Sequence, residues 1–258
     1  MISLGNLYRN ELMKIMDRTR TIVMLGLLIL VVFLLALGQR WILVAGAPVD
    51  LWEFAAGCTH LLFIVQLFTL VVAGDIISSE FGWGTVKLLL IRPVSRTKIL
   101  LSKFAAVITF LLLAMAVLLI ASLLFGAIFF RWTPESGKAL SALKHLGTIY
   151  GLYGVEVIVM ASLALMLSAA FRSSTLSVGL SVFLFFAGAF LTEMLKAWGG
   201  GSWGKYLLFA NLDLTPFFLG YDPPFPGMTL GHSLTVIAVH WILFYLIAWW
   251  TFAKRDVQ

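Results

Sequence analysis

Six long stretches of this chain are almost free of charge: Thr21–Leu37, Ala55–Ala73, Phe104–Phe130, Thr148–Phe171, Thr175–Leu195 and Ser233–Phe252. Within each, apolar positions are continuous, whereas a membrane barrel requires them to alternate. Each run approaches or exceeds the roughly 20 residues that carry a helix across a hydrocarbon core. The pattern predicts an all-α integral membrane protein with six transmembrane helices in a single domain. The first run follows a basic leader and precedes Ala45-Gly46-Ala47, which resembles a cleavage site, but it is longer than a signal-peptide core and is expected to be a retained span.

Orientation follows from Lys and Arg. With the N-terminus inside, that side collects Arg9, Lys14, Arg18, Arg20, Lys87, Arg92, Arg96, Lys98, Lys103, Arg172, Lys254 and Arg255. The other side collects Arg40, Arg131, Lys138, Lys144, Lys196 and Lys205. The bias predicts both termini inside, in accord with an even number of spans. Composition agrees with a lipid solvent: 61% of the residues are apolar and only 12% charged, against about 25% charged in a typical soluble domain. A soluble fold of 258 residues has too much surface to hide that much apolar side chain. The single cysteine, Cys58, excludes an internal disulfide framework. The net charge of +6 suits anionic lipid headgroups better than nucleic acid.

Three segments outside the spans carry further information. In Met1–Arg20, Leu4, Tyr8, Leu12, Ile15 and Met16 recur at helical spacing, and the charged residues fall mostly elsewhere around the helix. This predicts an amphipathic helix lying in the headgroup plane with its apolar stripe in acyl chains. In residues 75–103, Gly82 and Gly84 break what continues from the second span, Thr85 is a credible N-cap, and Pro93 ends a short helix over Val86–Ile91. Ser95 can then cap the lead-in to the third span. Val86, Leu89 and Leu90 share one face of the short helix, with Lys87 and Arg92 beside it. That face suits either a groove on a soluble partner or the bilayer interface. The third segment, Lys196–His232, holds an apolar stretch, Tyr206–Phe218, too short to span and too apolar for an open loop. It predicts a partly re-entrant outer helix broken near Pro216, either capping a pathway or packing the bundle.

The census of chemistry finds no catalyst and no metal site. Gly199-Gly-Gly-Ser-Trp-Gly204-Lys205 has the spacing of a phosphate loop, but Tyr206 stands where Ser or Thr must ligate magnesium. His60, His145, His232 and His240 are scattered. The remaining signal is polar groups at membrane depth, where they are costly and face a bundle interior or water. Gln66 in the second span, Glu156 in the fourth and His240 in the sixth form this set, and depth allows a Glu156–His240 contact. They read either as a polar lining of a translocation route or as interhelical hydrogen bonds. Gly147, Gly151, Gly154, Ala161 and Ser168 form a small-residue stripe on the fourth span, expected to support a tight helix contact.

The stretch Glu80-Phe-Gly-Trp-Gly84-Thr85-Val86-Lys87-Leu-Leu89-Leu90-Ile-Arg92-Pro93-Val-Ser95-Arg96, running on to Lys103, resembles the first cytoplasmic loop of ABC-2 type transporter permeases. Asn10-Glu11-Leu12-x-Lys14 resembles the amphipathic N-terminal helix of that family. The resemblance implies a permease subunit that dimerises, more often with a second copy of itself, and binds two copies of a separate cytoplasmic ATPase. It implies that Glu80, Gly84, Thr85, Lys87, Pro93 and Arg96 build a coupling element whose docking face is Val86, Leu89 and Leu90. It further implies that ATP and magnesium are bound by the partner rather than this chain, that transport is outward, and that the site is a bacterial or archaeal cytoplasmic membrane. Glu156 has no counterpart in that pattern. The competing readings are a stand-alone membrane enzyme with Glu156 and His240 as acid and base, and a non-catalytic immunity or scaffold protein.

Overall fold

A computed structural model describes residues 3–42, 49–84, 94–131, 138–171, 173–198 and 203–254. Among them every regular element is a helix, apart from one isolated bridge between Asp50 and Arg131. The helices are α1 (Leu4–Met16), α2 (Thr19–Ile42), α3 (Leu51–Gly57), α4 (Leu62–Asp75), α5 (Ser78–Gly82), α6 (Arg96–Phe129), α7 (Lys138–Ala170), α8 (Ser174–Ala197), α9 (Leu208–Leu212), α10 (Thr215–Leu219) and α11 (Leu230–Lys254). A 3₁₀ turn, Cys58–Leu61, joins α3 to α4 into one span. Among the described residues six stretches are long and apolar enough to cross a membrane: Thr19–Trp41, Leu51–Asp75, Arg96–Phe129, Ala139–Ala170, Ser174–Ala197 and Leu230–Ala253. This is a multi-pass membrane protein.

The helices run beyond the apolar runs for identifiable reasons. The second span starts at Leu51 because Asp50 and Glu53 form a reciprocal capping box, with Glu53 N–H donating to Asp50 Oδ1 at 2.8 Å. The third starts at Arg96, with Ser95 at its N-cap; Ser95 accepts through its backbone carbonyl, and its hydroxyl makes no capping bond. Lys103 does not interrupt that helix, because its charge is neutralised inside the protein.

The fourth span is the central one: 61% of its most apolar stretch is buried, against 22% for the first and 17% for the last. α7 packs closely on α4 and α11, and α6 receives α1 and α2. The outward apolar faces of α2, α8 and α11 (Leu30, Phe183, Phe190 and Trp250 among them) are exposed, as lipid-facing side chains require. A close backbone approach joins α4 to α8, where a methyl added at Gly74 would meet Val178 Cα at 3.1 Å. The stripe on α7 behaves differently from expectation at one end. Ala161 and Ser168 are buried, but Gly147 and Gly151 have nothing within 4 Å of an added Cβ.

The segment before the last span folds as a broken helix, α9 then α10. The break falls at Asp213–Leu214 and not at Pro216. Pro216 sits in the first turn of α10, where its missing N–H has no helical partner to lose. Asp213 Oδ1 instead turns the chain, accepting from Thr215 N–H at 2.9 Å and from its hydroxyl at 2.6 Å. The segment is keyed in place by Phe209, whose ring occupies the space above Gly188 so closely that a Cβ there would lie 2.2 Å away. Phe225 fills the space above Gly204 in the same way. Leu208, Leu212 and Leu214 then join the main core beside Val159 and Met160.

Candidate functional site

Two polar constellations stand out in an otherwise apolar bundle. The first gathers at the ends of α1, α4, α5 and α6. Its centre is Lys103, a fully buried ammonium. Lys103 Nζ donates to Glu11 Oε2 at 2.7 Å, to Glu80 Oε1 at 3.1 Å and to the Ile76 carbonyl at 3.1 Å, so all three protons are used. Lys14 Nζ closes the square, 2.9 Å from Glu11 Oε1 and 2.8 Å from Glu80 Oε1. Beside it Arg18 and Arg20 both pair with Asp75, Arg20 at 2.5 Å, and Arg18 stacks on exposed Trp83 with its guanidinium 4.8 Å from the ring. A cavity of about 10 Å³, lined by Glu11, Lys14, Arg18, Arg20 and Glu80, has the size of a single water site. Burial opposes the charged form of Lys14, yet its bond to Glu80 and the charge of Glu11 outweigh that and raise the ammonium above its usual range.

This arrangement revises the reading of α1. Leu7, Glu11 and Ile15 form its buried face, and Tyr8, Leu12 and Met16 pack against the protein core instead of lying in acyl chains. Tyr8 Oη bonds Thr109 Oγ1 at 2.8 Å across to α6. The spacing of Leu7, Glu11 and Ile15 placed a carboxylate in the middle of an apolar face, a signal that sequence reasoning passed over. Lys103 and Asp75 were legible only as charges near a membrane surface.

Of the residues expected to form a coupling element, Thr85, Val86, Lys87, Leu89, Leu90 and Pro93 lie outside the described residues. Glu80 points into the charge square. Gly84 adopts φ +69, the left-handed conformation that lets a chain leave a helix. The break after the second span comes earlier than Gly82, at Ile76–Ile77, where the Ser168 hydroxyl accepts from the N–H groups of Ile77 and Ser78 at 3.1 and 3.0 Å. Arg96 Nη1 donates to the carbonyls of Phe252 and Ala253 at 3.2 and 2.8 Å, placing a cation on the negative end of α11.

The second constellation lies at membrane depth. Gln66 on α4 is fully buried. Its side chain is a hydrogen-bonding neighbour of the carboxyl of Glu156 on α7, and Asp213 between α9 and α10 adds a second negative charge nearby. Tyr153, one turn before Glu156, feels both carboxylates. His240 is not brought into this group: its Nδ1 lies 2.8 Å from the Val236 carbonyl of its own helix, and its ring packs on Phe244. The acid–base pairing of Glu156 with His240 is therefore not formed. Among the described residues no cluster of three or more His, Cys, Asp and Glu side chains could hold a metal ion.

The family profile of DUF2705, described as a protein of unknown function, matches residues 27–258. The chain belongs to the DUF2705 family. It is 33% identical over 247 residues to the "Uncharacterized membrane protein YdbK" of Bacillus subtilis (strain 168), covering 95% of this chain and 100% of that protein. It is also 39% identical over 218 residues to "Uncharacterized protein YhcI" of the same organism, covering 80% of this chain and 69% of that one. The DUF2705 match takes in Gln66, Asp75, Glu80, Lys103, Glu156 and Asp213, whereas Glu11 and Lys14 precede it.

Proposed function

We propose that this DUF2705 chain is the permease subunit of an ATP-driven ABC-2 type transporter. It sits in a bacterial cytoplasmic membrane with both termini inside, pairs with a second copy of itself and is driven by two copies of a cytoplasmic ATPase. The chain itself hydrolyses nothing, and transport runs outward. The observation that supports this reading best is the charge square of Glu11, Lys14, Glu80 and Lys103. It fastens α1, α5 and α6 together on both sides of residues 85–93, so a push on that segment reaches the N-terminal helix and the third span as one body. Arg96 extends the connection to the end of α11. Such a body can bias a two-state path only if the ATPase binds its two states differently.

The deciding experiment is affinity purification of the tagged permease from its native host. An ATPase should co-purify, and Leu89→Asp in the apolar face of residues 86–91 should abolish that association while the permease still inserts. Normal retention of the ATPase by the Asp variant would overturn the assignment of the loop.

A further inference from the structure

We propose that an anionic phospholipid occupies a site at the charge-square end of the bundle, its phosphate held by Arg18 and Arg20 and one acyl chain lying in a groove along α8. The site needs no ATPase and stands or falls apart from the transporter reading.

The start of α8 borders a lateral groove of about 410 Å³, inside the range of roughly 300–1,000 Å³ that ligand pockets span. Leu176, Gly179, Leu180 and Phe183 line it at helical spacing, with Ser173 and Thr175 at one end. From Ser173 to Phe183 it runs about 15 Å at 1.5 Å per residue. That is half of the roughly 30 Å hydrocarbon core, the reach of one acyl chain in one leaflet. Gly179 forms a notch: an added Cβ there has nothing within 4 Å, while Leu176 and Phe183 on either side are exposed.

The polar end of this groove adjoins a surplus of positive charge. Ser174, between Ser173 and Thr175, accepts from Ser78 Oγ at 3.2 Å, and its hydroxyl also neighbours Asp75. Asp75 Oδ2 is shared by Arg18 and Arg20, and Arg18 also reaches Ser79 Oγ at 3.4 Å. One carboxylate oxygen thus serves two guanidinium groups. Among the described residues, the cations Lys14, Arg18, Arg20 and Lys103 of this network face only the acids Glu11, Asp75 and Glu80.

Arg20 Nε marks where the missing anion belongs. It is buried and makes no hydrogen bond, a rarity in native interiors. Directly beyond Arg20, Ile22 and Val23 are exposed apolar side chains, so the guanidinium stands where headgroups meet acyl chains. Arg18 stacks on exposed Trp83, a residue type that collects at the same depth. A phosphodiester brings one negative charge and two free oxygens, which can accept from both arginines. A zwitterionic headgroup would bring its own cation into a network that already holds an excess.

The test loads the full-length protein in detergent micelles with equal amounts of dioleoyl-phosphatidylglycerol and dioleoyl-phosphatidylcholine, and native mass spectrometry reads the retained lipid. One phosphatidylglycerol per chain should remain, preferred about fivefold over phosphatidylcholine. Arg20→Gln should weaken retention about tenfold, the loss of one charge-assisted hydrogen bond. Gly179→Leu should abolish retention without lowering the melting temperature of the delipidated protein, because the new side chain meets open space. Glycerol 3-phosphate, which carries the phosphate without the chains, should not displace the lipid at equal concentration. Equal retention of the two lipids, unchanged retention in either variant, or displacement by glycerol 3-phosphate overturns the proposal. A changed oligomeric state in Gly179→Leu with the lipid still bound also overturns it, since the groove would then belong to a second copy of the chain. If Arg20→Gln does not fold, Gly179→Leu and the choice between the two lipids decide. Gain or loss of an ATPase partner bears on none of these outcomes, so the two ideas fail separately.

Discussion

Lys103 Nζ and Glu11 Oε2 meet at 2.7 Å although 92 positions separate them in the chain, and both side chains are buried. The contact joins the N-terminal helix to the third span through a charge that neither element could bury alone. Two ions taken out of water are tolerated only when each remaining proton and lone pair finds a partner. Lys103 meets that condition with three acceptors, and Glu11 and Glu80 share Lys14 besides.

Lys103→Met removes the central cation and leaves two carboxylates facing Lys14 alone. The expected cost is about 3–5 kcal/mol, the range for breaking a buried ion pair from one side. Glu11→Gln in the same background should recover part of it, because a neutral amide no longer needs the lost cation. Thermal melting of the purified single and double variants checks this. A single variant that melts with the wild type would show that α1 is held by its apolar contacts alone.

The pH response of α1 has a defined sign. Burial disfavours protonated Lys14, but its bond to Glu80 and the charge of Glu11 hold its folded value above 10.5. A group raised on folding contributes stability that is complete below its unfolded value and disappears as pH climbs through the folded one. Wild-type melting temperature should therefore fall more steeply than that of Lys14→Met as pH climbs above the value near 10.4 at which the unfolded lysine titrates. Parallel curves for the two proteins would remove Lys14 from the network. Lys14 is partly exposed, so added salt should shrink the difference.

Gly188 is the seat of the broken helix before the last span. A Cβ there would come within 2.2 Å of the Phe209 ring, and the close atoms belong to a rigid aromatic, not to a flexible chain end. Gly188→Ala should cost about 1–3 kcal/mol by overpacking, and Phe209→Leu in the same protein should relieve part of that. A double-mutant cycle on melting temperatures reads the coupling. Additive effects would mean that Phe209 has room to swing aside.

What the residue pattern made legible is what depends on local chemistry. Continuous apolar runs located all six spans, because lipid rewards apolar side chains on every face of a helix. The start of the second span was read too late, at Ala55, because the apolar run alone ignores the capping box that Asp50 and Glu53 form. Tertiary choices were not readable. Depth permitted Glu156 to meet His240, and the fold turned His240 to its own helix and gave Glu156 the neighbours Gln66 and Asp213. Gly147 and Gly151 had the spacing of a helix contact, yet the tight approach was made by Gly74 on another helix. Spacing states what a face can accept, and only the packing of the whole bundle decides what arrives there.

The orientation of the bundle rests on the distribution of Lys and Arg, and Trp83 offers a direct test. It is 69% exposed, and it sits beside Arg18 at the same end of the bundle as the charge square. Cys58 is buried and is the only thiol, so Cys58→Ala gives a blank background. Trp83→Cys in that background should be silent to a membrane-impermeant maleimide on intact cells and should react once the cytoplasmic face is opened in inverted vesicles. Tyr221→Cys, in the segment before the last span and 67% exposed, should show the opposite pattern. Labelling of position 83 from outside would invert the protein, put residues 85–93 beyond the reach of any cytoplasmic ATPase, and end the transporter reading on geometric grounds alone.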